Sequence, residues 1–326
     1  MSAAPRAAAP AAEIGTPTSS RRPSRTFGET IRAVAPPYLL LLPTMVVLVG
    51  VLAWPLWWLG RISFEHYGLA ELIAHRGTWT GLDNYRHILG DGEFWRIVLR
   101  TVVFTVVNVG LTMLFATLIA LLLARMGKYM RSALLVGLVW VWATPVTVAI
   151  AVWQWMVDFE FGVLNWTLTK LHIVDLIHYN WFDNPWTGFA VITACVVWGA
   201  IPFAAITIYA GLSQVPQELV EAAEVDGARA WDVFRRVTFP LVKPIFIIVA
   251  SLSIIWDFQV FNQVWIMLEN RPGPEYYLLS VFAFVSSFRI SQYGLGAAIS
   301  VVMVLLMLSV SFVYVRQMIR ISEVEQ

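Results

Sequence analysis

Charge is the scarcest thing in this sequence. Of its 326 residues only 13% are Asp, Glu, Lys or Arg, against 59% hydrophobic. Soluble domains carry about a quarter charged residues, so this composition describes an integral membrane protein. The net charge of +1 gives no electrostatic case for binding nucleic acid. Cysteine occurs once, as Cys195 inside an apolar run, which excludes a disulfide framework and a cysteine metal site. The five histidines are scattered, with no i,i+4 pair, so no metal centre is expected. A G-x-x-x-x-G-K-[ST] segment is missing as well. If ATP drives this protein, another chain hydrolyses it.

Long apolar runs, by contrast, organise nearly everything. Residues 1–32 are rich in Ala, Pro, Ser and Arg and read as a disordered cytoplasmic tail. The remainder, 33–326, reads as one transmembrane domain of six helices, about 36–60, 97–124, 132–157, 186–212, 245–268 and 293–315. Pro43 and Pro55 should bend the first of these and Pro145 should kink the third. Trp54, Trp57 and Trp58 cluster near the far end of the first, as an interfacial belt would. With six spans both termini lie on one side, and the basic turn of Arg125, Lys128 and Arg131 marks it as cytoplasmic.

One polar helical stretch lies between two spans, from Ser213 to Pro244. Pro216 suits a first helical position and Glu218 favours the positive helix end. Leu219, Ala222, Ala223 and Asp226 then fall on one face, whose alanine centre lets a partner surface approach closely. Gly227 fits a left-handed stop. A second short helix, Arg229 to Val237, should follow, with Pro240 and Pro244 closing the stretch. An amphipathic helix lying on lipid is the plainer reading, but an Ala-Ala face is too weakly apolar to anchor there.

This stretch resembles the EAA loop of permease subunits in binding-protein-dependent ABC importers. Glu221-Ala222-Ala223, Asp226-Gly227-Ala228 and Phe239-Pro240-Leu241 carry the likeness. Gly81-Leu82-Asp83-Asn84-Tyr85, Phe258 to Met267, Tyr293-Gly294 and Ala297-Ala298 are similar to the carbohydrate group, in particular to the first permease of the maltose-transporter type. The likeness covers about residues 38 to 316 and departs at LENRPGP, which keeps only Pro272-Gly273-Pro274 of the usual T-x-G-G-P turn. It implies an all-α integral membrane fold of the type I importer permease kind with a cytoplasmic coupling loop. It also implies a bacterial inner (plasma) membrane location, a second homologous permease, two ATP-binding subunits holding ATP and Mg, and an extracytoplasmic solute-binding protein. Glu221, Ala222, Ala223, Asp226 and Gly227 would then lie in a groove of the ATPase subunit.

The transport path is sought in the fifth span, the least apolar of the six. Gln259, Asn262 and Gln263 fall at i, i+3 and i+4 beside Trp256, and would offer a neutral polyhydroxyl solute donors, acceptors and an apolar ring face. The same amides could instead bond across helices as packing glue, worth about 0.6 kcal/mol each. Asp257 lies about 160° from Gln259 on a regular helix. An ionised Asp at a helix centre costs roughly 2.5–3.5 kcal/mol, so it should face protein or water. A neighbouring helix, the partner permease and the solute all remain open as its contact. Most of the sixteen tryptophans fit an aromatic belt, with Trp153, Trp155 and Trp166 left as candidates for contact with a binding protein or solute.

Rival classes have less behind them. Importers of glycerol phosphates, amino acids or polyamines share the fold, but a phosphate would want Arg or Lys inside a span. A stand-alone secondary transporter would leave the coupling loop without purpose and shows no evident inverted repeat. A membrane-embedded enzyme lacks a paired acid, His cluster or nucleophile, so no catalytic residue is assigned.

Overall fold

The computed structural model describes residues 40–324; the expected tail, 1–32, lies outside the described residues. The chain divides into two compact units, Met1–Leu56 and Trp57–Gln326. The described part of the first unit, residues 40–56, is helical, and the helix continues to Ile62 as α1 (Leu40–Ile62). Within it Val49–Ala53 forms a π-turn just ahead of Pro55. A proline ring collides with the carbonyl four residues back, and a widened turn moves that carbonyl aside.

In the second unit, a β-hairpin (β1 Glu65–His66, β2 Thr78–Trp79) encloses the short α2 (Leu69–Ala74). Then follow α3 (Asp83–Gly90), α4 (Gly92–Arg125), α5 (Lys128–Ala143), α6 (Val146–Met156), α7 (Val163–Lys170) and α8 (Pro185–Leu212). The sequence motif at 81–85 is a staple. Gly81 takes φ +63°, and Asn84 Nδ2 donates to the carbonyls of Ser63 and Glu65 at 2.9 Å each. The Tyr85 and Ser63 hydroxyls bond at 2.7 Å. The loop is anchored further on, where the Gly294 N–H donates to the Tyr67 carbonyl; a Cβ on Gly294 would strike the Glu65 carbonyl.

The third span is broken rather than kinked. α5 and α6 meet at 97° across Thr144–Pro145, so the pair is either one broken crossing or a re-entrant excursion. Among the described residues five helices are long and apolar enough to cross a membrane, or up to six if this pair counts as one. Arg131 fixes the turn before it, donating to the carbonyls of Leu123 and Met126 at 3.0 and 2.7 Å.

The remaining elements are α9 (Gln217–Val225), α10 (Ala230–Phe258), α11 (Asn262–Met267), α12 (Leu279–Arg289) and α13 (Tyr293–Val324). The expected separate helix at 229–237 is instead the first part of α10. Pro240 and Pro244 do not stop it, because a π-turn at Phe234–Thr238 shifts the carbonyls that the Pro240 ring would meet. The fifth span also ends early, at Phe258 rather than near 268. α12 was not anticipated at all; it is an apolar helix between the fifth and sixth spans.

Two layers of packing hold the bundle. At the basic end, Ala116, Ala120, Ala204 and Ala205 bring α4 and α8 close, with Leu138 and Val249 completing the cluster. At the other end, which carries the long loops, Phe104, Ile150, Ile192, Val260, Val264, Leu278 and Val281 form a larger one. Gly188 of α8 faces Tyr276, with no room for a Cβ beside its ring. Gly188→Val should therefore destabilise by about 1–3 kcal/mol through overpacking. It is expected to lower the thermal midpoint in detergent well below that of Gly199→Val, where a Cβ meets nothing within 4 Å.

Candidate coupling loop and translocation path

The coupling loop stands free at the basic end. Glu221, Ala222, Asp226 and Gly227 are exposed and Ala223 is half-buried. Pro216 sits one position earlier than expected, as the residue capping α9, and Asp226 caps its other end. Gly227 takes φ +82°. The Gly227 N–H donates to the Glu224 carbonyl and the Ala228 N–H to that of Ala223, both at 3.0 Å. These are the two bonds of a Schellman motif, closed by the residue type it prefers. A ladder of rings, Trp231 on Phe234, Phe234 on Phe239 and Phe239 on Phe246, then runs up α10.

At the opposite end α10 terminates in a break. Gln259 caps its last turn and Phe261 precedes α11. The three amides therefore do not share one helical face: Gln259 lies in the break, Asn262 and Gln263 open the short helix. Gln259 and Asn262 are exposed and Gln263 half-buried, and none of these amides has a hydrogen-bond partner among the described residues. The packing-glue alternative needs such partners, and among the described residues these amides have none. Trp256, 44% exposed, stands beside them with its ring edge-on to Phe203 at 5.1 Å.

Asp257 is separated from the amides by burial. It is 3% exposed and its Oδ2 has no hydrogen-bond partner. Its carboxyl is thus enclosed by this chain's own helices. A helix that packs against α10, namely α4, carries a polar stripe that sequence reading overlooked: Thr101, Thr105, Asn108 and Thr112 are all buried. Their spacing of 4, 3 and 4 residues in an apolar run was the available signal. Asn108 Oδ1, Thr105 Oγ1 and Thr112 Oγ1 are unpartnered too.

The stretch that follows the break is tied to other parts of the chain by side chains. Arg100 Nη1 donates to the carbonyls of Pro274 and Tyr277 at 2.9 Å, and Thr101 Oγ1 accepts from the Leu279 N–H at 3.0 Å, capping α12. Gln154 Nε2 donates to the Ile266 carbonyl at 2.9 Å. The Tyr276 hydroxyl donates to the Phe182 carbonyl at 2.8 Å. Burial, with Glu275 and Asp183 nearby, pushes that hydroxyl up to about 12, so it stays a donor throughout the working pH range. Of the tryptophan candidates, Trp153 packs against the core while Trp155 and Trp166 are exposed. No group of His, Cys, Asp and Glu that could hold a metal occurs among the described residues.

Apolar crossing helices, an exposed capped loop at one end and a broken helix at the other define a polytopic membrane transport component. The profile described as "Binding-protein-dependent transport system inner membrane component" matches residues 116–322, and the chain belongs to that family. The diacetylchitobiose uptake system permease protein DasB of Streptomyces coelicolor is 41% identical over 289 residues, covering 89% of this chain and 88% of that protein. The trehalose/maltose transport system permease protein MalF of Thermococcus litoralis is 31% identical, over 86% and 92%. In fold the chain resembles a bacterial ABC transporter involved in import of the acidic polysaccharide alginate. The TM-score there is 0.72 at 18% identity, covering 89% of this chain and 98% of that one.

Since Asp257 has no cationic or hydrogen-bonding partner to lose, Asp257→Asn should leave the thermal midpoint unchanged or raised. Gln154→Ala, which removes one hydrogen bond from an Ile266 carbonyl that still accepts from the Glu269 N–H, should cost about 0.5–1.5 kcal/mol. Detergent unfolding curves of the two variants check both expectations.

Proposed function

We propose that this chain is one permease subunit of an ATP-driven importer, forming half of the path for a sugar or sugar-like solute. It pairs with a second homologous permease and two ATP-binding subunits that hold ATP and Mg. An extracytoplasmic binding protein delivers the solute. Both termini and the coupling loop face the cytoplasm of a bacterial cell whose inner membrane the chain crosses. The observation that carries this reading is the continuity of α10. It runs unbroken from the foot of the exposed, Gly227-capped helix to the break where Gln259 and Asn262 stand without partners. The names of the 41% and 31% identical relatives support a saccharide cargo.

The path is assigned to Trp256, Gln259, Asn262 and Gln263. An indole face suits the C–H side of a sugar ring, and unpartnered amides replace the hydrogen bonds that its hydroxyls leave in water. A cationic cargo would need a counter-charge, and the acid beside the path residues in sequence, Asp257, is buried. Closure of the ATP-binding subunits would move α9, and Glu221, Ala222, Ala223, Asp226 and Gly227 would transmit the motion to α10.

The test is the assembled transporter purified from native membranes, reconstituted, with uptake and ATP hydrolysis read together. Recovery with two ATP-binding subunits, a second permease and a binding protein is expected; a chain that purifies alone and still moves solute overturns the reading. In the same assay Asn262→Ala should weaken apparent solute affinity about tenfold, the equivalent of one lost polar contact of about 1.4 kcal/mol, with hydrolysis intact. Unchanged uptake would remove the amides from the path.

Gly227 gives a sharper discrimination. A Cβ there meets nothing within 4 Å, so the obstacle to substitution is backbone strain alone. Gly227→Ala should therefore uncouple hydrolysis from uptake as fully as Gly227→Trp, while Gly227→Asn retains more coupling. Normal uptake in the Ala variant would dismiss the hinge.

A further inference from the structure

The excursion at 158–184, between α6 and α8, is folded around one buried polar residue, with Asp158, Glu160, Lys170 and Asp175 exposed. Asn165 is its hub: it is buried, its Nδ2 donates to the carbonyls of Asp158 and Tyr179, and its Oδ1 accepts from Trp181 Nε1 at 2.7 Å. Thr169 Oγ1 accepts from the Leu176 N–H, and Asp158 Oδ1 accepts from the N–H groups of Glu160 and Phe161. Also turned outward are Phe161 at 75% exposure, Trp166 at 62%, Leu171 at 63%, Ile173 at 62%, Val174 at 53% and Ile177 at 64%. So large an apolar display on an ordered segment marks a contact surface.

We propose that this excursion is an interfacial anchor, whose outward side chains rest in the headgroup–acyl boundary of the leaflet at that end of the bundle. Depth argues for lipid. The segment starts two residues after Met156 and ends at Pro185, at the ends of two apolar helices that carry exposed Trp155 and Trp186. Tryptophans at span ends mark the interface, so both tethers of the excursion are fixed there. Composition agrees: Trp and Phe with aliphatic neighbours are what such elements bury, about 5–10 Å into the boundary. The charged side chains are Asp158, Glu160, Asp175 and Asp183 against Lys170 alone, so anionic lipid adds nothing to the attraction.

The buried single cysteine makes the test clean. In a Cys195→Ala background, Trp166→Cys, Ile173→Cys and Glu160→Cys are spin-labelled in the full assembled transporter and reconstituted in phosphatidylcholine vesicles, with and without phosphatidylglycerol. Power saturation compares collisions with oxygen, which partitions into lipid, and with a water-soluble nickel chelate. Labels at 166 and 173 should favour oxygen, the label at 160 should favour nickel, and phosphatidylglycerol should change neither. Nickel-favouring labels at 166 and 173 would overturn the anchor. So would labels shielded from both reagents, which would mean that a protein partner covers this face.

Discussion

A backbone that leaves regular helix inside a membrane protein must still satisfy its N–H and C=O groups, and the rest of this structure answers to that constraint. The chain between Phe258 and Tyr293 leaves regular helix more than once, and side chains from α4 and α6 supply bonds to its backbone groups. Arg100 serves two of its carbonyls and Gln154 a third, Thr101 caps α12, and the segment's own Tyr276 ties it outward to the Phe182 carbonyl. The break in the fifth span is therefore a built element. It exists because distant parts of the chain were placed to pay for it.

Seen this way, the two ends of the protein differ in kind. The basic end is closed by small residues, with Ala116, Ala120, Ala204 and Ala205 allowing helices to meet backbone to backbone. Without a hydrophobic drive between helices in lipid, such close contact is what association can use. The opposite end is sewn together by long-range hydrogen bonds and aromatic clusters, around a segment whose amides are left unclaimed. Rigidity is concentrated where motion would enter and polarity where a solute would pass.

Some of this was legible in residue order. Gly227 after a short polar helix signalled a left-handed stop, and the residue takes φ +82°. Pro145 gave the position of a break but not its 97° turn, which is set by how α6 packs against α8 and α11. The stop at Phe258 had no local signal, since Gln259-Val260-Phe261 contains neither glycine nor proline. It depends on partners remote in sequence, such as Ser280, whose hydroxyl donates to the Val260 carbonyl. Pro240 and Pro244 misled in the other direction: both lie inside α10, and the widened turn at Phe234–Thr238 moves aside the carbonyl that the Pro240 ring would meet. α12 escaped notice because eleven residues fall short of a span. The resemblance supplied the family; periodicity alone could not have said where helices break.

The continuity of α10 has a mechanical consequence. At about 1.5 Å per residue, its 29 residues make a rod of roughly 42 Å. Pivoted near one end, such a rod turns an angular change of about 5° into a displacement of about 4 Å at the other. That is on the order of a sugar ring's width. If the rod turns as one piece, a gate could open without any span changing its register.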